Sequence, residues 1–140
     1  MESLYTAESL STGHGREGRV KTADGKLDLN LTPPTELGGS GTGTNPEQLF
    51  AAGYAACFHS ALHSVARSRK IKIENSSVGG RVHLHRDGDS GFKLSVELEV
   101  VIPEMDHAQA QDLADAAHQV CPYSNATRGN IDVTVSVSDD

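Results

Sequence analysis

Two cysteines carry the most reactive chemistry in this 140-residue sequence, and they lie in segments of different character. Cys57 belongs to the string NPEQLFAAGYAACFHS, whereas Cys121 opens the string CPYSNATRGN. Because the thiolate is the nucleophilic and oxidisable form of cysteine, either residue is a candidate for redox or nucleophilic chemistry. Neither forms a CxxC motif, so the spacing of a thioredoxin-type redox pair or a zinc ribbon is missing.

Each cysteine also has a structural interpretation, since a free cysteine often serves as a small buried hydrophobe. Two thiols on two different core helices support a redox role more strongly than either thiol alone, because the fold can bring them into contact. In a reducing compartment they are buried thiols or a redox pair rather than a structural disulfide.

Arg16 and Glu47 form a second set of candidates. Arg16 lies in the Gly-rich turn GHGREG, which an ordinary solvated turn also explains. Glu47 falls in the first turn of a predicted helix, where a carboxylate interacts favourably with the helix dipole. Its functional interpretation is a carboxylate that orients an arginine through two hydrogen bonds.

Seven histidines raise the question of a metal site. His59 and His63 are spaced i, i+4, and His83 and His85 share one strand face. No HExxH motif is present, and no cysteine or carboxylate stands at ligand spacing to complete either pair, so the sequence argues against a metal. The phosphate-loop and nucleophile-elbow patterns are absent as well.

Composition bounds the fold and the partners. Hydrophobic residues make up 36% of the chain, with no Trp, against a usual apolar share of about 45–50%. We therefore expect a single domain, residues 1–140, that completes its core across a subunit interface. The net charge of −7 and the lack of a basic stripe argue against nucleic acid and anionic membranes as partners.

The N-terminal residues show no basic and apolar regions of a secretory signal. The longest apolar run, ten residues, is far below the ~20 needed to span a bilayer. These features predict a soluble, cytoplasmic protein.

The helix that must position Cys57 is predicted to begin at Asn45 and to end at Arg67 to Lys70, where cations suit the C-terminal end of the helix dipole. Asn45 as N-cap, Pro46 at the first helical position and Gln48 at the third are typical of a helix start with a capping box. One stripe then recurs at spacings of three and four residues: Phe50, Tyr54, Cys57, Ala61 and Val65. Small side chains dominate this stripe, so another backbone can approach it closely.

The other periodic segments predict an α+β fold with antiparallel sheets around two core helices. Alternation predicts strands at residues 4–10, 20–22, 27–31, 77–85, 92–102 and 131–137, and Asp24-Gly25 marks a hairpin. A second helix should begin at Asp106 and end before Pro122, which places Cys121 at its terminus. Its core face should hold Leu113, Ala117 and Val120, and residues 123–128 should form a short helical turn.

The strings NPEQLFAAGYAACF and VCPYSNATRGN, with the Arg-bearing turn GHGREGRV, resemble the organic hydroperoxide resistance (Ohr) proteins of the OsmC/Ohr family. The resemblance covers essentially the whole chain, and the wording CPYSNATRGN is closer to the Ohr branch. Many relatives have a plain GGR at the turn, so only the geometry of that loop departs from the pattern.

The resemblance implies a thiol peroxidase that reduces organic hydroperoxides, with a lipoylated protein or another dithiol as reductant. By matching motif, Cys57 attacks the peroxide, Cys121 resolves the sulfenic acid, and Arg16 and Glu47 activate the thiol. The family forms tightly intertwined homodimers without metal or haem.

Elementary chemistry agrees with these roles. A buried thiol has a raised pKa, so Cys57 needs a nearby cation to be a thiolate near neutral pH, and an arginine stays charged there. We also expect apolar side chains near the thiol to favour alkyl or fatty-acyl peroxides over hydrogen peroxide: Leu49, Phe50, Tyr54 and Phe58.

Two other classes of function stay open. One is a non-catalytic redox sensor or binding domain, which lacks a second domain to receive its signal. The other is a cysteine hydrolase in which His59, His63 or His118 serves Cys57 as base, although no family-specific pattern surrounds the thiol.

Overall fold

The computed structural model describes residues 1–139 and divides the chain into two compact units, Met1–Leu49 and Phe50–Asp140. The single domain expected from the length stays a prediction. The α+β class is confirmed, with six strands and three α-helices in the described residues. Within the same residues, no helix has both the length and the apolar character that a membrane span requires.

The first unit holds an antiparallel meander, as predicted. Strands β1 (Ser9–Gly13), β2 (Gly18–Thr22) and β3 (Asp28–Leu31) pair in chain order. The Gly-rich turn between β1 and β2 closes through a hydrogen bond from the His14 N–H to the Glu17 carbonyl, 3.0 Å. The second turn uses Gly25 in the left-handed region, φ 74°, which glycine adopts without strain.

The strand predicted over residues 4–10 is wrong except at its end. The register starts at Ser9 opposite Thr22, the last residue of β2. Residues 4–7 therefore lie beyond the ladder, and alternation alone did not reveal that β2 is too short to pair with them. Leu4 is fully exposed as a result.

The meander buries little of its own surface. Leu31 is its one buried hydrophobic side chain among the described residues, while Leu10 and Leu29 are 68% and 39% exposed. A three-stranded sheet needs a covered apolar face for stability. The sheet of the first unit thus presents apolar side chains that nothing in its own unit covers.

Helix α1 runs without interruption over Pro46–Ser68. The Asn45 side chain accepts a hydrogen bond from the Gln48 N–H, 2.8 Å, so the predicted N-cap is confirmed. The capping box is not completed, because the Gln48 side chain accepts from the Thr44 hydroxyl instead, 2.7 Å. The buried face of α1 is wider than the predicted stripe and consists of Tyr54, Phe58, Ala61, Leu62, Val65 and Ala66.

The second unit is built on strands β4 (Ser77–Asp87), β5 (Gly91–Val101) and β6 (Val133–Val137). β4 and β5 form an antiparallel hairpin, but β6 pairs parallel to β5, so this sheet is mixed rather than antiparallel as predicted. The intervening helices explain the difference, since a crossover of this length can return the chain in the same direction. α1 packs on the sheet at Gly80, where a Cβ would come within 3.0 Å of the Ala51 carbonyl oxygen.

Two helices fill that crossover, α2 (His107–Val120) and α3 (Pro122–Thr127). The predicted N-cap is confirmed, because the Asp106 carboxylate accepts from the Gln109 N–H at 3.2 Å. Ala110, Leu113, Ala114 and Ala117 form the buried face of α2. Val120, expected on that face, is 53% exposed, because it falls at the edge of the stripe where Cys121 takes the core position.

Candidate active site

The structure brings the two cysteines together. Cys57 projects from the fourth turn of α1, and Cys121 is the residue that joins α2 to α3. Cys121 has the extended backbone that a following proline favours, φ −64° and ψ 124°. Both thiols are free, and their Sγ atoms are 3.7 Å apart. Cys121 is fully buried and Cys57 is half-buried, so the first is shielded while the second keeps access to solvent.

Tyr123 belongs to this site although the sequence analysis gave it no role. Its backbone N–H interacts with the Cys57 sulfur and lowers the pKa of that thiol. Its ring occupies the surface of α1 at Gly53, where a Cβ would meet the Tyr123 hydroxyl at 2.9 Å. The same ring stacks on Phe50, with centroids 6.1 Å apart, and tilts against Tyr54 at 5.6 Å. The segment after Cys121 is thereby packed against the turn of α1 that precedes Cys57.

The Cys57 thiol is not activated by its neighbours within the second unit. Burial raises the pKa of Cys57 above its ordinary value, and the neighbouring Cys121 thiol adds to the rise. The Tyr123 N–H lowers the pKa, because it stabilises the thiolate, but it does not reverse the direction. A thiolate near neutral pH therefore requires a further positive charge.

Arg16 and Glu47 form the bidentate pair that the sequence suggested. The two guanidinium nitrogens donate to the two Glu47 carboxylate oxygens at 2.7 and 2.9 Å. The hydrogen bonds from Arg16 hold the pKa of Glu47 below its ordinary value, and burial opposes them. This pair belongs to the first unit, and the cysteine pair belongs to the second.

The four expected substrate-contacting side chains divide into two groups. Tyr54 and Phe58 are completely buried, so they form the core behind α1 and present no surface to a ligand. Leu49 and Phe50 are half-buried. Of the aromatic side chains near Cys57, only Phe50 and Tyr123 keep part of their surface exposed in the described residues.

Each histidine proposed as a hydrolase base is engaged with a serine. His59 and His63 direct Nε2 towards the Ser76 hydroxyl at 2.9 and 3.3 Å, and His118 directs Nδ1 towards Ser124 at 2.7 Å. Burial, followed by the neighbouring His63, lowers the pKa of His59. The hydrolase alternative therefore lacks the thiol–imidazole hydrogen bond that it needs. Residues 1–139 contain no cluster of three or more metal-ligating side chains.

Comparisons with known proteins agree with this geometry. A family model described as OsmC-like protein matches residues 39–136. An organic hydroperoxide resistance protein of Xanthomonas axonopodis pv. citri (strain 306) is 54% identical, over 96% of this chain and 95% of that protein. The organic hydroperoxide resistance protein OhrB of Bacillus subtilis (strain 168) is 48% identical, over 96% of this chain and 98% of that protein.

A solved structure gives the same result for the fold. The crystal structure of an organic hydroperoxide resistance protein OsmC from Legionella pneumophila superposes with a TM-score of 0.93 at 52% sequence identity. The match covers 98% of this chain and 99% of that one.

Proposed function

The chain belongs to the OsmC/Ohr family, and on that premise we propose that it is a cysteine-based peroxidase that reduces organic hydroperoxides to alcohols. The observation that carries the proposal is the pair of free thiols 3.7 Å apart, one half-buried and one fully buried. The relatives' names, organic hydroperoxide resistance proteins, support the substrate class.

The proposed reaction has three balanced steps. The Cys57 thiolate attacks the terminal peroxide oxygen, the O–O bond breaks, and an S–O bond forms, so that sulfur is oxidised while the alkoxide leaves and takes a proton. The Cys121 thiol then attacks the Cys57 sulfenic acid, which forms the disulfide and releases water. A dithiol reductant opens that disulfide by thiol–disulfide exchange and becomes a disulfide itself. Following the family, we propose a lipoylated protein as this reductant.

Activation of Cys57 is the role that we propose for Arg16 and Glu47. The raised pKa of Cys57 calls for a cation, and hydrogen bonding to Glu47 raises the pKa of Arg16, which therefore stays charged. Glu47 holds the guanidinium by both oxygens and so fixes its orientation. Ten residues of unbroken helix separate Glu47 from Cys57, which is about 15 Å of rise and too far for the carboxylate to serve that thiol.

We therefore propose a homodimer in which Arg16 and Glu47 of one chain serve the Cys57 of the other. The exposed Leu10 and Leu29 of the meander and the low apolar content of the chain support a partner that covers them. Cys57 and Cys121 come from the same chain in this arrangement. Phe50, at the exposed side of α1, is our candidate for contact with the alkyl chain of the peroxide.

The deciding experiment measures peroxide consumption by the purified protein with dihydrolipoamide as reductant, for an alkyl hydroperoxide and for hydrogen peroxide. We expect many turnovers with the alkyl hydroperoxide and none for Cys57→Ser, which is nearly isosteric and should keep the fold. A redox sensor would consume about one equivalent and stop, whereas a hydrolase would cleave thioesters without touching peroxide. Consumption by Cys57→Ser at the wild-type rate would refute the assignment.

A further inference from the structure

A buried chain of hydrogen bonds connects the helices on both sides of Cys121. The His118 Nδ1 of α2 contacts the Ser124 hydroxyl of α3 at 2.7 Å. That hydroxyl contacts the Tyr54 hydroxyl of α1 at 2.8 Å, which in turn contacts the Thr127 hydroxyl at 3.1 Å. Tyr54 and Ser124 are 0% exposed and Thr127 is 6% exposed, so water competes little with these bonds.

Only one direction of donation lets these three contacts and the contact from Thr127 to the Ser124 carbonyl all be hydrogen bonds at once. The Thr127 hydroxyl donates its one hydrogen to the Ser124 carbonyl, 3.2 Å, so towards Tyr54 it can only accept. Tyr54 then donates to Thr127 and accepts from Ser124. Ser124, whose one hydrogen is thereby used, accepts from His118. In this direction the Nδ1 of His118 carries a hydrogen, in the neutral ring as in the cationic ring.

This direction makes the chain insensitive to the protonation of His118. A neutral ring with hydrogen on Nδ1 and a cationic ring both donate from that atom. Burial, followed by the charge of Arg128, lowers the pKa of His118. The Arg128 guanidinium also bridges the helices from outside, donating to the His118 carbonyl and to the Asn125 side chain.

The residues of this hydrogen-bond chain lie close in sequence to both cysteines. His118 precedes Cys121 by three residues, and Ser124 follows it by three. Tyr54 precedes Cys57 by three residues on α1. These three hydrogen-bonded anchor residues thus lie about one helical turn from the cysteines, on α1, α2 and α3. Between the anchors on α2 and α3 lie both the Cys121 sulfur and the Tyr123 N–H that faces Cys57.

We propose that His118, Ser124 and Tyr54 are positioning residues, which hold residues 121–123 against Cys57 so that the resolving thiol and the Tyr123 N–H stay in place. The inference rests on the proposed function, because it assigns the contact a role in peroxide chemistry. Loss of the chain should have two linked effects. The Cys57 pKa rises as the N–H contact loosens. Attack of Cys121 on the sulfenic acid also becomes slower, so that a second peroxide molecule oxidises the sulfenic acid to sulfinic acid.

The test compares Ser124→Ala and Tyr54→Phe with wild type. The Cys57 pKa is measured by thiolate absorbance against pH in a Cys121→Ser background. The ratio of disulfide to sulfinic acid is measured by intact-mass spectrometry after graded doses of an alkyl hydroperoxide. We expect the pKa to rise, and the peroxide dose that gives half sulfinic acid to fall about two- to tenfold, the usual factor for a lost hydrogen bond. Should Ser124→Ala fail to fold, Tyr54→Phe removes a single oxygen and still gives the answer.

A matched control removes a similar bond elsewhere. His85 and Ser95 also form an imidazole–hydroxyl hydrogen bond of 2.7 Å, between β4 and β5, so Ser95→Ala should change neither measurement. The direction is tested at His118 by two variants that are nearly isosteric with each other. His118→Asn can donate to Ser124 and should behave as wild type, whereas His118→Asp can only accept and should behave as Ser124→Ala.

Different results would overturn the positioning role, the direction of donation and the proposed function. An unchanged Cys57 pKa together with an unchanged dose in folded Ser124→Ala or Tyr54→Phe overturns the positioning role, as does an equal change in Ser95→Ala. Equal behaviour of His118→Asn and His118→Asp overturns the assigned direction. If wild-type protein does not react with organic hydroperoxides at all, the proposed function is refuted, but the pKa titration still decides whether the chain positions the Tyr123 N–H.

Discussion

Replacing Arg16 by alanine tests how Cys57 becomes a thiolate. Within its own unit, burial raises the pKa of Cys57, and the Tyr123 N–H offsets only part of that effect. If Arg16 of a second chain supplies the missing charge, its removal must raise the pKa further. The expected loss is specific to the attacking step, because Cys121 and its surroundings are left unchanged.

The size of the effect follows from Coulomb's law. Two unit charges about 4 Å apart interact by about 4 kcal/mol at an effective dielectric constant of ~20. That energy corresponds to roughly three pKa units at 1.36 kcal/mol per unit. The Arg16 side chain is 46% exposed in the single chain, so solvent screening lowers the expected rise to about one or two units. At pH 7 each unit reduces the thiolate fraction about tenfold.

The assay combines a thiol titration with the pH dependence of the reaction. In a Cys121→Ser background, Cys57 is the only thiol, so ultraviolet thiolate absorbance reports its ionisation, and stopped-flow mixing with an alkyl hydroperoxide gives the attack rate. We expect Arg16→Ala to be slow at pH 7 and to recover as pH rises through the new pKa. Arg19→Ala is the matched control, because Arg19 also forms a bidentate pair, with Asp28 at 2.6 Å, three residues away in sequence.

Two results would refute this reasoning about charge. One is an Arg16→Ala protein whose Cys57 titrates as in wild type, which would leave Arg16 as a turn residue. The other is a rate that stays low at high pH, which would mean that Arg16 contacts the peroxide or the leaving oxygen rather than setting the thiol pKa. A shift of equal size in Arg19→Ala would attribute the effect to the general charge of the chain.

The remaining predictions concern resolution, assembly and stability. Cys121→Ser should react with one equivalent of peroxide to give the Cys57 sulfenic acid and with a second equivalent to give the sulfinic acid, whereas a free Cys121 in oxidised wild type would contradict the two-cysteine scheme. Refolding Cys57→Ser together with Arg16→Ala/Glu47→Ala should restore about a quarter of wild-type activity if sites are crossed, and none if each site belongs to one chain. The ion pair with Arg16 lowers the pKa of Glu47. The stability that this pair contributes is therefore present above the unfolded pKa of about 4.3 and is lost as pH falls through the folded value. Glu47→Gln should show a smaller loss of thermal stability on acidification than wild type, and an equal loss would contradict the pairing. Leu98→Ala, at a fully buried position of β5, should cost about 2–5 kcal/mol in urea unfolding, and a cost below ~1 kcal/mol would contradict the packing.

Local signals predicted the helices well because local contacts determine where they begin and end. The Asn45 and Asp106 caps are contacts within three residues, and Pro122 ends α2 by a clash with its immediate neighbour. The parallel pairing of β6 depends on the length and path of the crossover, which no short window contains. The wrong strand prediction at residues 4–10 has the same cause, since pairing of these residues depends on where β2 ends.

The candidate site shows the same difference between features that local residue chemistry predicts and features that depend on distant partners. The Arg16–Glu47 pair followed from residue chemistry, because a guanidinium and a carboxylate have one strongly favoured geometry. The role of Tyr123 did not follow, because its contribution to Cys57 is a backbone N–H, which every residue except proline possesses. Ser124 carried a weak signal, as a hydroxyl within a segment that had to be buried around Cys121, but its partners Tyr54 and His118 are distant in sequence or on another helix.

One short segment serves both halves of the proposed reaction. In our proposal, residues 121–123 supply the thiol that closes the disulfide and the N–H that stabilises the Cys57 thiolate, whereas Arg16 supplies only charge. Variants therefore fall into two classes that a pair of measurements distinguishes. Loss of Arg16 raises the Cys57 pKa and leaves the disulfide-to-sulfinic ratio unchanged, because that ratio is set after the attack. Loss of Ser124 changes both quantities, since a displaced α3 moves donor and resolving thiol together. A Ser124→Ala protein that shifts the ratio alone would show that the N–H contact and the thiol contact are held by different parts of the structure.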